Sequence, residues 1–292
     1  MTKAPLAPCT IGAVSIEHYE NFPVASWLCP PALRPPITAI YHFARTADDI
    51  ADEGDASAEQ RLADLKLYQQ CLHAADRGEL PTMRWPGVFA ALQAQIRQWQ
   101  LPLPLLDALL SAFMQDTANP VHDDQASLLD YCSRSANPVG RLLLHLYGIT
   151  DAVALRRSDA ICSALQLINF WQDIQVDLSR GRCYLTRQDL ATHGLPAPEE
   201  LMQACQLQGS AASRALVKAL VEQARTLMLE GAPLVHQLHG RVAWELRLVV
   251  QGGLRILEKI EHMNFSTFER RPTVGAADVP LMLWRAARMP AR

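Results

Sequence analysis

Apolar residues along this chain recur at steps of three and four rather than two. Leu33, Ile37, Ile40, Ala44, Ala47 and Ala51 trace one face of a helix. From Leu155 to Asp177 the chain is apolar nearly all round, through Leu165, Leu167, Ile168, Phe170, Trp171 and Ile174, which predicts a central helix surrounded by others. Segments 57–78, 84–99, 104–116, 126–148, 211–230 and about 241–263 read as further helices. Alternating strand patterns are nearly absent. Breaks rich in proline or glycine fall at 29–36, 101–104, 118–124, 193–198 and 271–275, none long enough for an interdomain linker. The pattern predicts one all-α domain over 1–292, of ten to twelve helices. Its core runs from about 15 to 272, with a short tail after Pro272.

Two helices have unusual interiors. Gly252-Gly253 lies within an apolar helical stretch, where each glycine costs roughly 1 kcal/mol against alanine. Asn137-Pro138-Val139-Gly140 interrupts another. Both fit either tight packing or a backbone kept slim beside a ligand cavity.

Charged residues change the picture most where they sit on these apolar helices. Asp48 and Asp52, with Asp49 between them, are four apart on the helix just traced, so both carboxylates share a face. Like charges at that spacing destabilise a helix by roughly 0.2–0.5 kcal/mol. A cation between them reverses the sign. Asp173 and Asp177 repeat the spacing at the end of the most apolar helix, where an unpaired charge is expensive to bury. Thirty acidic residues produce some such spacings by chance, on solvated faces. Two on strongly apolar helices, each with polar companions, point to function. Oxygen-only ligands favour a hard cation, and magnesium takes one or two carboxylates, waters and substrate phosphates. A di-iron bundle wants Glu-x-x-His on two helices, which this chain lacks. Basic residues flank both pairs. Arg45 is either an ordinary helix ion pair or a diphosphate ligand. Gly181 is expected to end the second helix, so that Arg182 and Tyr184 fold back over the acidic residues; as a plain surface cation, Arg182 would suit the helix C-terminus.

Composition narrows the classes. The 292 residues are 49% hydrophobic and carry a formal net charge of -3, which gives no electrostatic reason to expect nucleic acid. Seven scattered cysteines without a CxxC pair suggest a reducing compartment and thiols used as small buried residues. Met1 to Gly12 lacks the order of a signal peptide, and no long apolar window predicts a membrane span. A cytoplasmic protein is expected, with peripheral contact at the inner membrane face where an apolar substrate draws it there.

The ordered motifs resemble the squalene/phytoene synthase family. They are the first acidic run from Arg45 to Glu53, Tyr131-Cys132-x-x-x-Ala136-x-x-Val139-Gly140, and Asn169-x-x-x-Asp173-x-x-x-Asp177 followed by Gly181-Arg182-x-Tyr184. The similarity spans about His18 to Pro272. It implies an isoprenoid-synthase-type helical bundle around a central cavity. Within the family, His18 to Ser26, Phe43 to Glu53, Ser135 to Gly140 and Asn169 to Asp173 resemble the bacterial hopanoid-pathway branch, the hydroxysqualene synthases. That branch implies presqualene diphosphate plus water giving hydroxysqualene and diphosphate, with functional coupling to a presqualene diphosphate synthase.

The resemblance implies roles residue by residue. Asp48, Asp49, Asp52, Asp173 and Asp177 would hold Mg2+, and Arg45, Arg134, Arg182 and Tyr184 would bind diphosphate. Tyr41 and Asn169 would serve catalysis, and Phe22, Gln166, Gln172 and Trp171 would line the pocket; Asn169, Gln166 or Gln172 would hold the quenching water. Three departures stand out. Gln172 replaces the arginine common before the first aspartate of the second motif. Val176 replaces an acidic residue, and Ser133-Arg134-Ser135 replaces a tyrosine-rich stretch. These fit an enzyme that starts from the cyclopropyl intermediate. The alternatives are head-to-head condensation of two prenyl diphosphates by a squalene or phytoene synthase, a non-catalytic helical scaffold, and a helical metal-storage protein. No Gly-x-Gly-x-x-Gly fingerprint follows a strand, which agrees with water capture without NADPH.

Overall fold

The computed structural model describes residues 29–79 and 84–290. Among them are thirteen α-helices and no strand. The first four are α1 (Arg34–Asp52), α2 (Ala58–Arg77), α3 (Pro86–Trp99) and α4 (Leu103–Asp116). Next come α5 (Gln125–Ser135), α6 (Asn137–Leu146) and α7 (Ala152–Gln172). Three short helices follow: α8 (Ile174–Ser179), α9 (Arg187–Thr192) and α10 (Pro198–Ala204). The chain closes with α11 (Ala211–Gly231), α12 (Gly240–His262) and α13 (Val279–Ala287).

The apolar stripe read from the sequence is the buried face of α1, through Ile37, Ile40, Phe43, Ala47 and Ala51. It packs with α2, α3 and α4 around the rings of Phe43, Tyr68 and Phe89. A second core surrounds α7, which packs against α5, α6, α11 and α12. Helix α6 serves both cores: Leu142 and Leu146 join the first and Leu144 the second. The acidic residues lie along the seam between these two packed halves.

The unusual interiors resolve as close packing. A Cβ on Gly140 would fall 2.4 Å from Ser158 Oγ and 2.6 Å from Cys162 Sγ, so only glycine lets α6 lie this close to α7. Gly253 similarly admits Met228 and Ile168 onto α12.

Three expectations are corrected. The segment 126–148 is two helices, because Pro138 stands in the first turn of α6, where its missing N–H is tolerated; in a continuous helix its ring would clash. The helix ending at Asp177 breaks at Asp173, whose φ of -109° and ψ of 15° leave the helical region. The tail after Pro272 contains α13, held to α12 by ion pairs that the sequence pattern does not display: Arg255 reaches Asp278 at 2.8 Å, and Arg285 pairs with Glu258. Each added boundary raises the helix count above that expected. No helix among the described residues is long and apolar enough to cross a membrane. Cys29, Cys71, Cys132 and Cys183 are buried free thiols, as their use as small apolar residues predicts.

Candidate active site

Burying one side of α1 turns Asp48 and Asp52 toward the seam. Arg45, one turn earlier, pairs with Asp48 at 3.0 Å, Asp49 at 2.8 Å and Glu53 at 2.9 Å. Asp48 is nevertheless pushed up to about 6, first by burial and then by Asp52, against the pull of Arg45.

The second motif survives the helix break. The Asp177 N–H donates to the Asp173 carbonyl at 2.9 Å, so the two keep their one-turn relation across it. Gly181, at a φ of +71°, then reverses the chain in the left-handed region that glycine tolerates. The Arg182 N–H donates to the Asp177 carbonyl at 2.9 Å. Its guanidinium crosses to Asp52 on α1, 130 residues away in sequence. This contact brings the two acidic motifs to one place. The field confirms it: burial first, then Asp173, push Asp177 up to about 7, with a further upward contribution from Asp52.

Two charged residues at the seam escape sequence reading. Asp116, the last residue of α4, accepts a hydrogen bond from Tyr131 Oη at 3.0 Å and is pushed up to about 7, mainly by burial, with Asp52 and Asp48 adding to it. A carboxylate closing an apolar helix, where the dipole disfavours it, was the available signal. Arg271 grips the Asp173 carboxylate through two N–H groups. No local pattern marked it.

Aromatic rings floor this region. Tyr184 stacks on Phe170, with centroids 3.7 Å apart and planes 11° from parallel, and Tyr131 and His122 adjoin them. A cavity of about 10 Å³ lies between Phe170, Trp171, Asp177, Arg182 and Tyr184. Trp171 is closed to solvent and lines this cavity from the core side.

The remaining candidates fall unevenly. Tyr41 lies half-buried on α1, and its ring meets His42 edge-on. Gln166 and Asn169 lie half-buried on α7 at helical steps before Asp173. Gln172, expected at the pocket, is buried and donates to the Pro272 carbonyl at 2.7 Å, fastening the C-terminal segment. Arg134, expected at the diphosphate, bonds Gln115 at 2.6 Å, Asp130 at 2.9 Å and Ser111 at 3.2 Å, tying α5 to α4. Neither residue contacts the four aspartates in these bonds; tertiary partners took donors that look free in sequence. Phe22 lies outside the described residues.

The donor set suits a hard divalent cation. Its acids supply oxygen alone, and Asp48 and Asp177 stand above their usual range because burial, and after it a neighbouring carboxylate, disfavours their charge. Among the described residues no three such side chains close into a cage. Magnesium needs none, since waters and phosphate oxygens complete its shell.

The sequence model of the squalene/phytoene synthase family matches residues 16–278. The chain belongs to the squalene/phytoene synthase family. Members of this family are enzymes that process prenyl diphosphates. The hydroxysqualene synthase of Sinorhizobium fredii is 34% identical over 270 residues, covering 92% of this chain and 87% of the relative. The presqualene diphosphate synthase of Zymomonas mobilis is 34% identical over 185 residues, 63% of this chain and 62% of the relative. Among solved structures, squalene synthase HpnC from Alicyclobacillus acidocaldarius superposes with a TM-score of 0.75 at 36% identity, covering 85% of this chain and 90% of that one.

Proposed function

We propose that this squalene/phytoene synthase family member is a hydroxysqualene synthase, converting presqualene diphosphate and water to hydroxysqualene and diphosphate. The observation that carries this reading is Gln172. It stands where head-to-head synthases commonly carry arginine, and its amide is already committed to the Pro272 carbonyl. With Arg134 held by Gln115, Asp130 and Ser111, the cations that remain at the acidic motifs are Arg45 and Arg182, each now on an aspartate, a set that suits one diphosphate rather than two. The likeness to the Sinorhizobium hydroxysqualene synthase, extending over most of both chains, supports the same choice.

Asp48, Asp52, Asp173 and Asp177 would hold magnesium, with Asp49 beside them. Bound there, the metal supplies positive charge to the departing diphosphate. Arg45 and Arg182 release their aspartates and donate to diphosphate oxygens, so that charge growing on the leaving group meets fixed donors. Breaking the C–O bond leaves a cyclopropylcarbinyl cation. The stacked faces of Phe170 and Tyr184 stabilise it and exclude bulk water. Tyr41 holds the cation's flank. Asn169, with Gln166 one turn before it, positions the single water that forms the new C–O bond. Asp116, titrating near 7, takes the proton that this water sheds.

Product analysis by mass spectrometry tests the reading. With presqualene diphosphate, magnesium and 18O-water, the expected product is hydroxysqualene carrying one 18O, without NADPH. Squalene formed from presqualene diphosphate when NADPH is added, or presqualene diphosphate, dehydrosqualene or phytoene-type product from farnesyl or another linear prenyl diphosphate alone, would defeat it. Unchanged magnesium and diphosphate affinity in Asp48→Asn with Asp177→Asn would instead favour a non-catalytic scaffold.

A further inference from the structure

Helix α13 is built inside out. A surface helix normally buries its apolar face and exposes its charges. Here the side facing α12 carries Arg285, paired with Glu258, and the small Ala286. The outward side carries Val279 and Leu283, one turn apart, and Trp284 beside Leu283, which are 46%, 47% and 54% exposed. Val274 in the preceding loop is a further exposed apolar residue, at 37%.

The helix is nonetheless held firmly. Arg255 bonds Asp278 at its start at 2.8 Å, and Arg247 donates to the Ala286 carbonyl near its end at 3.0 Å. Met282 packs where Gly252 leaves room for it, 3.5 Å from where a Cβ would stand. So the greasy face belongs to an anchored helix rather than to a frayed end.

Its surroundings identify the occupant. The Arg288 guanidinium lies 4.7 Å over the ring of Trp284. Arg247 lies 6.0 Å over Trp244, itself 45% exposed on α12. Indole rings with guanidinium groups above them match the level where acyl chains meet headgroups. Near Asp278 at the start of α13, a groove of about 700 Å³ is lined by Arg255, Lys259, His262, Arg270 and Thr273, and by Arg271, which also grips Asp173. Arg255 and Lys259 pair there with Asp278, while Arg270 and His262 add positive character. Cations around an apolar strip complement lipid phosphates.

We propose that α13, with Trp244 and the adjoining basic groove, is a docking surface for an anionic bilayer. The helix lies along the interface, its outer side chains among the acyl chains and its arginines at the phosphates. The proposal concerns the surface alone and does not depend on which prenyl product the seam makes.

Co-sedimentation of the full chain with vesicles tests it, using phosphatidylcholine alone or with about a third phosphatidylglycerol. The wild type is expected to pellet with the anionic vesicles and to be released by salt. Leu283→Glu with Trp284→Glu should lower partitioning by about tenfold or more, with turnover of detergent-dispersed substrate unchanged. A measurement independent of that variant's folding is quenching of tryptophan emission by lipids brominated on their acyl chains. Quenching is expected in the wild type and should be lost in Trp244→Phe with Trp284→Phe. Absence of wild-type vesicle binding, or binding and quenching unaltered by these changes, overturns the proposal. So does self-association abolished by the glutamate variant without vesicle binding, which would make the surface a protein interface.

Discussion

The two acidic motifs share a spacing and differ in almost everything else. The first lies on the unbroken α1, and its main counterion, Arg45, comes from the same helix. The second straddles a break between α7 and α8, and its partners arrive from elsewhere: Arg271 on Asp173, and Arg182 looping back from beyond Gly181. The first is thus a local arrangement that the helix supplies as it forms. The second exists only in the assembled protein. Arg182, reaching Asp52, is the joint between them.

The largest expected effects test whether the motifs are equal halves of one machine. Asp48→Asn and Asp177→Asn should each lower kcat on the order of a thousandfold, read from product formation at saturating magnesium. A loss confined to one motif would separate them. Cutting the joint comes next. Arg182→Gln should cost about a hundredfold in kcat, with Arg182→Lys recovering part of it, because the charge returns without the fork that spans two partners. Gly140→Val attacks the packing of α6 on α7, which supports the second motif. Its side chain collides with Ser158 and Cys162, and overpacking of that kind costs roughly 1–3 kcal/mol, visible as a lower melting temperature.

Removing the long-range partner has a smaller effect. Arg271→Met should tighten magnesium binding by about fivefold in a calorimetric titration, since an ion pair worth up to roughly 1 kcal/mol no longer competes for Asp173. Smallest is a pH effect across the seam. Asp48, Asp116 and Asp177 rise in the folded protein from the ordinary 3.8 to about 6, 7 and 7. The folded state therefore binds their protons more tightly than the unfolded chain does. Their contribution to stability is fully present below about pH 4 and is lost as pH rises through 6 to 7. Asp116→Asn should flatten this decline in melting temperature between pH 4 and 8 in magnesium-free buffer. An unchanged slope would remove Asp116 from the account.

The same contrast sets what could be read in advance. Helical spacing is local, so the α1 stripe, both aspartate pairs and the all-round apolar character of α7 stood in the sequence. Gly181 signalled the reversal that carries Arg182 back. Asp116 did not stand out, because its link to Asp52 depends on how α4 packs beside α1. The break at Asp173 carries neither proline nor glycine, so no local residue announced it. Gln172 and Arg134 looked like free polar side chains beside the site; Pro272 and Gln115 claim them, and only packing supplies those partners. Helix α13 misled in the opposite way: Val279, Leu283 and Trp284 face outward, so it read as a tail.

The Arg182 contact spans 130 residues and the Arg271 contact 98, unusual separations for a molecule made of helices. Helical proteins commonly fold fast because their contacts are near in sequence. Here α1 leaves the ribosome with its aspartates long before Arg182 is made, and Asp173 waits again for Arg271. Maturation of the cleft therefore waits until Arg271 has been made. A chain stalled short of Arg271 would keep most of its helices while Asp173 lacked its counterion.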